Sequence, residues 1–157
     1  MLFPSIKDDD IAFSMQDPSD DWSRLSAHPF ELEGVEWPTV EHYYQAMKFD
    51  DANYREKIRG SDVGAAIKLG DRWFKKKRSD WKSIEKVVMT RALYIKCRTY
   101  PIIAERLLAT GDKTLLENSQ YDYHWGCGRD RRGGNLYGKV LMNVREKLRE
   151  ELDQKAE

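Results

Sequence analysis

Apolar residues recur at helical spacing over most of the chain that follows Thr39. In two long segments they return every three or four positions, which is typical of the core-facing side of an amphipathic α-helix. The first stripe comprises Trp81, Ile84, Val88, Ala92 and Ile95, and the second comprises Leu136, Val140, Leu141, Val144, Leu148 and Leu152. The two stripes predict a long internal helix and a long final helix.

Residues with capping propensity divide the helical region into elements. Ser, Thr and Asp side chains accept hydrogen bonds from first-turn amides, while proline and glycine mark helix starts and ends. The predicted N-caps are Thr39 for residues 40–49, Asp62 for a short helix ending at Gly70, and Ser79 for the long internal helix; Pro101 starts a further helix that Gly111 stops.

A period of two replaces the helical spacing near the start of the chain. In the segment PFELEGVEW, residues 29–37, apolar and acidic residues alternate on both sides of the Glu33-Gly34 pair, which predicts a β-hairpin. The segment IAFSM, residues 11–15, is a candidate third strand. We therefore expect a mainly α fold, a single multihelical domain with a small N-terminal β-hairpin or sheet. Residues 1–10 are predicted to be a flexible N-terminus that precedes a domain over residues 11–157.

The composition limits the class of protein. A length of 157 residues fits one domain, which can bury about two thirds of the surface of the unfolded chain. Cys97 and Cys127 provide neither a disulfide framework nor zinc-ligand spacing, and three scattered histidines do not suggest a metal site. We expect no signal peptide, and the sequence contains no apolar run of membrane-spanning length. We expect a cytoplasmic protein without membrane association, metal or cofactor, and the oligomeric state stays open.

Charge is distributed unevenly although the net charge is zero. Residues 1–40 contain nine acidic and two basic residues, whereas residues 68–98 contain eleven basic and three acidic residues. The basic segment predicts an anionic partner, with nucleic acid as one candidate. The alternative is that these lysines and arginines only solvate a helix surface.

The segment WPTVEHYYQAMKF contains the first candidate site residues. On a helix that begins at residue 40, Glu41, Tyr44, Gln45 and Lys48 lie on one face, because they are separated by three, four and seven positions. A polar face beside Trp37 suggests the wall of a pocket. Alternatively, Glu41 complements the helix dipole and Lys48 forms an ordinary ion pair.

The segment YDYHWGCGRDRRGGN, residues 121–135, contains the second set. Four glycines exclude a stable helix or strand, so the segment is predicted to be a loop. Asp122 is either a candidate acid or a turn residue that bonds its own backbone. Trp125 is suited to stacking on a base, and the amides near Gly126 and Gly128 to phosphate, unless the ring only fills the core. Three arginines, Arg129, Arg131 and Arg132, are either phosphate ligands or solvated.

Taken in order, these segments resemble the NADAR (YbiA-like) family from about Phe13 onward. The matching segments are WPTVEHYYQAMKF at 37–49, the Ala65-Ala66 pair with a following glycine, the Asp80-Trp81 pair, VMTRALYIKC at 88–97, LLATGDKTLLENS at 107–119 and DYHWGCGRDRRGGNLYGKVLMNVREKL at 122–148. The resemblance implies a mainly helical domain that cleaves N-glycosidic bonds between ribose and a base. The implied substrates are phosphorylated ribosylamino-pyrimidines of early riboflavin biosynthesis or, alternatively, ADP-ribose linked to guanine.

The resemblance also assigns roles to individual positions. It implies that Glu41 stabilises the cationic sugar and orients water, with Asp122 as its partner on the sugar or leaving group, or the reverse. The resemblance implies that Trp81, Trp125, Gly126, Gly128 and Asn135 bind substrate. We expect Tyr44 and Lys48, from their helix face, and Arg24 to take part as well. Arg24 stands where members of the family usually have an asparagine, so we expect it to affect substrate choice. A binding module for NAD or ADP-ribose would need the loop but not both acids, so the two acids favour an enzyme.

Overall fold

The computed structural model describes residues 9–156, which form six helices and two very small sheets. The helices are α1 (Val40–Ala46), α2 (Ala52–Arg59), α3 (Val63–Gly70), α4 (Trp81–Thr99), α5 (Pro101–Leu108) and α6 (Leu136–Ala156); the strands are β1 (Ile11–Phe13), β2 (Phe30–Leu32), β3 (Val35–Trp37) and β4 (Leu115–Glu117). The predicted fold class is confirmed. The predicted flexible N-terminus, residues 1–10, lies outside the described residues except for its last two positions.

The strands form two separate two-stranded sheets. The predicted hairpin is confirmed, because β2 and β3 pair antiparallel around Glu33 and Gly34, both of which have positive φ (56° and 78°) as a tight hairpin turn requires. The suggestion that residues 11–15 extend this hairpin is wrong. Strand β1 instead pairs in parallel with β4, a strand of three residues that is too short to show a period of two.

Two of the predicted helix caps form in the structure, and a third does not. The Thr39 hydroxyl accepts a hydrogen bond from the His42 N–H at 3.1 Å, and an oxygen of Asp62 accepts one from the Ala65 N–H at 2.8 Å. Ser79 does not cap α4. The helix begins at Trp81 with Asp80 at the N-cap position, and the Asp80 carboxylate binds the Arg78 guanidinium instead of a first-turn amide.

Helix α1 lies at the centre of the fold. It packs against α2, α3, α4 and β3, and all seven of its residues are buried. Helix α6 packs against α4, α5 and β4 on another side of the core. Because α1 is enclosed by its neighbours, its polar side chains must find partners within the protein rather than in water. Across residues 9–156, no helix combines the length and the apolar character needed to cross a membrane.

Candidate functional site

Glu41 is a buried carboxylate with only 3% of its surface exposed. One oxygen forms a short ion pair with the Arg24 Nε atom, and the other accepts hydrogen bonds from Arg24 Nη2 at 3.4 Å and Gln45 Nε2 at 2.6 Å. A carboxylate whose only function was to complement the helix dipole would have no need of this enclosed network. The structure therefore favours a specific role for Glu41.

The backbone and the side chain of Arg24 both contact this part of α1. The Glu41 N–H donates to the Arg24 carbonyl at 2.9 Å, which anchors the loop between β1 and β2 to the first turn of α1. The guanidinium carbon lies 4.5 Å from the centre of the Tyr44 ring and 5.8 Å from that of Trp125. Burial opposes the charge of Arg24, but attraction to Glu41 and to the nearby tyrosines outweighs it and raises the pKa. Arg24 is thus a permanent cation beside Glu41.

Lys96 supports the loop that delivers Arg24. Its ammonium group donates to the Ser23 carbonyl at 3.1 Å and to the Ser26 hydroxyl at 2.5 Å, on the two sides of Arg24 in the chain. Burial lowers the pKa of Lys96 to about 8. Lys96 was not among the residues predicted from the sequence. It could have been found from its position four residues after Ala92, because that spacing places Lys96 on the buried face of α4.

Tyr44 lies at the centre of an aromatic cluster. Its ring is 5.1 Å from the ring of Trp81 and 5.7 Å from that of Trp125, edge to face in both cases, and all three residues are buried. Burial raises the pKa of Tyr44 to about 12, so its phenol keeps its proton at neutral pH. The three rings form a preorganised apolar wall next to the Glu41 carboxylate and the Arg24 guanidinium.

Lys48 extends the cluster toward the surface. Its ammonium nitrogen lies 5.3 Å from the centre of the Tyr44 ring and 3.5 Å from an oxygen of Asp71, whose side chain is exposed. Burial lowers the pKa of Lys48, and Asp71 opposes this effect. The ordinary ion pair considered from the sequence is therefore present, while the same ammonium group faces the aromatic wall.

Asp122 is a turn residue in this structure. One of its oxygens accepts hydrogen bonds from the N–H groups of His124 at 3.0 Å and Trp125 at 2.8 Å. Within residues 9–156, no hydrogen bond joins Asp122 to Glu41. Trp125 links the two acids only indirectly: its backbone N–H binds Asp122, and its ring lies near the Arg24 guanidinium that pairs with Glu41. A catalytic role for Asp122 stays a prediction.

The rest of the loop is fixed against β4. A Cβ atom on Gly126 would lie 2.5 Å from a Glu117 oxygen, and one on Gly128 would lie 2.3 Å from the Tyr123 ring. Asn135 accepts a hydrogen bond from the Glu117 N–H and donates one to the Leu115 carbonyl, each at 2.9 Å. These three positions shape the loop, and direct binding of substrate by them stays a prediction.

Two further carboxylates were not identified from the sequence. Glu117 is fully buried and accepts hydrogen bonds from the N–H groups of Met15 at 2.8 Å and Ser119 at 2.7 Å, so it joins the two halves of the chain. Glu85 contacts His124 Nε2 at 2.5 Å and the Tyr44 hydroxyl at 3.5 Å. Glu85 could have been found from its position one helical turn after Trp81, because that spacing places both residues on the same face of α4.

Several other candidates do not join the cluster. Arg129, Arg131 and Arg132 are exposed in the loop. Burial raises the pKa of the Cys127 thiol, with a further contribution from Glu117, which disfavours the thiolate that a nucleophile would need. In the part of the chain that the structure describes, no group of three or more His, Cys, Asp or Glu residues is arranged to hold a metal ion. The predicted residues that the structure does bring together are Arg24, Glu41, Tyr44, Lys48, Trp81 and Trp125.

Comparisons with known proteins match nearly the whole chain. The sequence model of the NADAR domain matches residues 3–149. The chain is 39% identical over 137 residues to N-glycosidase YbiA of Escherichia coli, and the aligned region covers 87% of this chain and 86% of that protein. It is 40% identical over 132 residues to an N-glycosidase of Nostoc punctiforme, with coverage of 82% and 85%.

Two further matches concern pathway and fold. The chain is 42% identical over 120 residues to a riboflavin biosynthesis protein of Vibrio vulnificus. The aligned region covers 76% of this chain but only 33% of that longer protein. The NMR structure of E. coli YbiA superimposes with a TM-score of 0.82 at 37% identity, over 90% of this chain and 87% of that one.

Proposed function

Because the chain belongs to the NADAR family, we propose that it hydrolyses the ribosyl C–N bond of phosphorylated ribosylamino-pyrimidine intermediates of riboflavin biosynthesis. The chain is a hydrolase that acts on N-glycosyl compounds, as its N-glycosidase relatives are named. The name of the Vibrio vulnificus relative supports the choice of pathway. The unpaired cysteines are consistent with the cytoplasmic location that such a pathway enzyme would have.

The observation that carries the proposal is the placement of Glu41, which is 3% exposed, beside a cation and aromatic rings. Cleavage of a ribosyl C–N bond generates positive charge on the sugar, and a carboxylate in a low-dielectric site stabilises such a charge far better than one in water. The Arg24 guanidinium contacts both Glu41 and the Tyr44 ring, so these two groups already stabilise a positive charge at this place. We expect them to stabilise the cationic sugar in the same way.

We assign the remaining roles by position around Glu41. The rings of Trp81 and Trp125 would stack on or abut the leaving pyrimidine, each contributing roughly 1 to 3 kcal/mol. Lys48 would bind a phosphate group by exchanging its exposed Asp71 partner for the ligand. In this scheme Glu41 stabilises the cationic sugar and orients the attacking water. Asp122, in the loop, acts as its partner on the sugar or the leaving group.

A direct assay tests the proposal. The purified chain is incubated with the ribosylamino-pyrimidine phosphate and, separately, with an oligonucleotide that carries ADP-ribosylated guanine, and released base and sugar are followed by mass spectrometry. We expect release from the first substrate and none from the second. Release from the second alone would reassign the substrate, and the absence of release from either would contradict the hydrolase function for both classes.

A second candidate function is the removal of ADP-ribose from guanine in nucleic acid. One observation favours it: the loop between α3 and α4 exposes Trp73 (93%) and Phe74 (65%) among five basic residues. Exposed rings interleaved with cations are typical of single-strand binding surfaces. The five cations are Arg72, Lys75, Lys76, Lys77 and Arg78, of which Lys75 and Arg78 pair with nearby carboxylates.

Salt dependence distinguishes the two functions. If the basic loop binds a strand, the affinity for a single-stranded oligonucleotide should fall at least about tenfold between about 50 and about 200 mM salt, because counterions are released from several phosphates. Replacing Trp73 with Ala should weaken the same binding about fivefold or more through the lost stacking. Fluorescence anisotropy measures both effects. Undetectable binding at low salt would remove the support that this loop gives to the second function.

A further inference from the structure

We propose that His124 is a further catalytic residue, the acid that protonates the leaving base, and that Glu85 is the residue that positions it. This inference rests on the proposed N-glycosidase function and deepens it. Cleavage leaves an electron pair on the ring or exocyclic nitrogen of the base, so a proton donor beside the base lowers the barrier. Neither Glu85 nor His124 was among the residues that the sequence singled out.

A carboxylate–imidazole pair lies at the edge of the aromatic cluster. His124 Nε2 is 2.5 Å from one oxygen of Glu85, and the other oxygen of Glu85 is 3.5 Å from the Tyr44 hydroxyl. The Glu85 side chain is only 17% exposed, whereas that of His124 is 58% exposed. The pair therefore joins a largely enclosed carboxylate to a ring that a ligand can reach.

The Glu85 contact determines which ring nitrogen is free for chemistry. An ionised carboxylate only accepts hydrogen bonds, so Nε2 carries a proton toward Glu85, and Nδ1 is the ring atom that gives and takes the second proton. Among residues 9–156, Nδ1 has no hydrogen-bond partner. A fixed imidazole with one nitrogen held by a carboxylate is the arrangement that general acid–base catalysis uses on unrelated folds.

The position of the ring suits a leaving base. The His124 ring is 5.3 Å from that of Trp125, and His124 and Asp122 line the same open cavity of about 650 Å³. One oxygen of Asp122 already accepts two backbone N–H groups. Tyr121 and Tyr123 line the same cavity, but His124 is the residue there that is both held by a carboxylate and in contact with the Trp125 ring.

The proposed reaction has two parts, departure of the base and addition of water. The C1′–N bond breaks and its electron pair moves to the nitrogen of the base, which takes a proton from Nδ1 of the His124 imidazolium. Water then adds to C1′ and releases its proton to a carboxylate of the site, with Glu41 facing the sugar. After the base departs, neutral His124 regains a proton from solvent and the carboxylate releases its proton to solvent. The net reaction consumes one water and yields the free base and ribose phosphate.

The test compares two leaving groups. The natural aminopyrimidine is a poor leaving group that needs protonation, whereas 4-nitrophenolate, in 4-nitrophenyl riboside 5-phosphate, departs without it. We expect His124→Gln to lower kcat about 10²- to 10⁴-fold on the natural substrate and less than about fivefold on the nitrophenyl substrate. Glu85→Gln should show the same pattern with a smaller loss, because the imidazole remains but is less well held. Glu105→Gln, an exposed substitution on α5, is the matched control for loss of a carboxylate.

Each outcome decides between a chemical and a structural role. Equal losses on both substrates, or no loss on either, would overturn the assignment, because a positional defect does not depend on the leaving group. Thermal unfolding of each variant shows whether the fold is kept. If wild-type protein releases nothing from the natural substrate, the proposed function fails first. A wild-type rate on the nitrophenyl substrate then still allows the His124 comparison with uridine 5′-phosphate, whose uracil departs more easily when it is protonated.

Discussion

Replacing Glu41 with Gln should lower kcat by about 10²- to 10⁴-fold while KM changes little. The amide keeps the size and one acceptor oxygen of the carboxylate, but it cannot offset the positive charge that develops on the ribosyl ring. Glu41 is 3% exposed, so water cannot replace the lost charge. Single-turnover measurement of base release checks the expectation, because it isolates the chemical step from product release.

The same substitution also has a structural cost that must be separated from the catalytic one. Arg24 is 5% exposed, and without Glu41 its guanidinium would lack a charged partner, a change that typically destabilises a protein by about 3 to 5 kcal/mol. A charge-balanced double variant, Arg24→Gln with Glu41→Gln, removes both charges together. We expect it to regain most of the thermal stability lost in Glu41→Gln and none of the activity. Recovery of activity along with stability would show that Glu41 is only a structural partner of Arg24.

The sequence predicted those parts of the fold whose signals are local. The turn at Glu33 and Gly34 and the caps at Thr39 and Asp62 each depend on a few neighbouring residues, and all three are present in the structure. Helix α2 buries only Tyr54 and Ile58, which is too few apolar residues to form a recognisable stripe. The parallel pairing of β1 with β4 joins residues about a hundred positions apart, which no local pattern can show.

The candidate site was predictable in its members but not in its pairings. Helical spacing placed Glu41, Tyr44 and Lys48 on one face, and the structure brings them together with Trp125. The pairing of Arg24 with Glu41 depends on a loop whose path is set by Lys96, which forms no motif. The turn role of Asp122 was predictable because its partners are two and three residues away in the chain. The contact of Glu85 with His124 was not predictable, because it joins two distant segments.

Replacing Arg24 with Asn should tighten binding of a cationic iminoribitol, a mimic of the ribosyl cation, by about tenfold or more. In the structure the guanidinium occupies the space between Glu41 and the rings of Tyr44 and Trp125, which is where a cationic sugar would gain the same interactions. A ligand cation must therefore displace the Arg24 side chain from Glu41, and a tenfold change corresponds to about 1.4 kcal/mol of such competition. The asparagine cannot compete, because it has no charge and a shorter side chain.

Isothermal titration calorimetry on wild type, Arg24→Asn and Arg91→Asn measures this competition. Arg91 is exposed on α4 and pairs with Glu33, so its replacement controls for the loss of one positive charge elsewhere on the protein. A neutral carbocyclic analogue of the same shape should bind all three proteins equally, since only the charge competes with the guanidinium. Weaker binding of the cation to Arg24→Asn would mean that Arg24 contacts the ligand directly. In that case Glu41 and Arg24 act as one unit during the reaction, and the substrate enters without separating them.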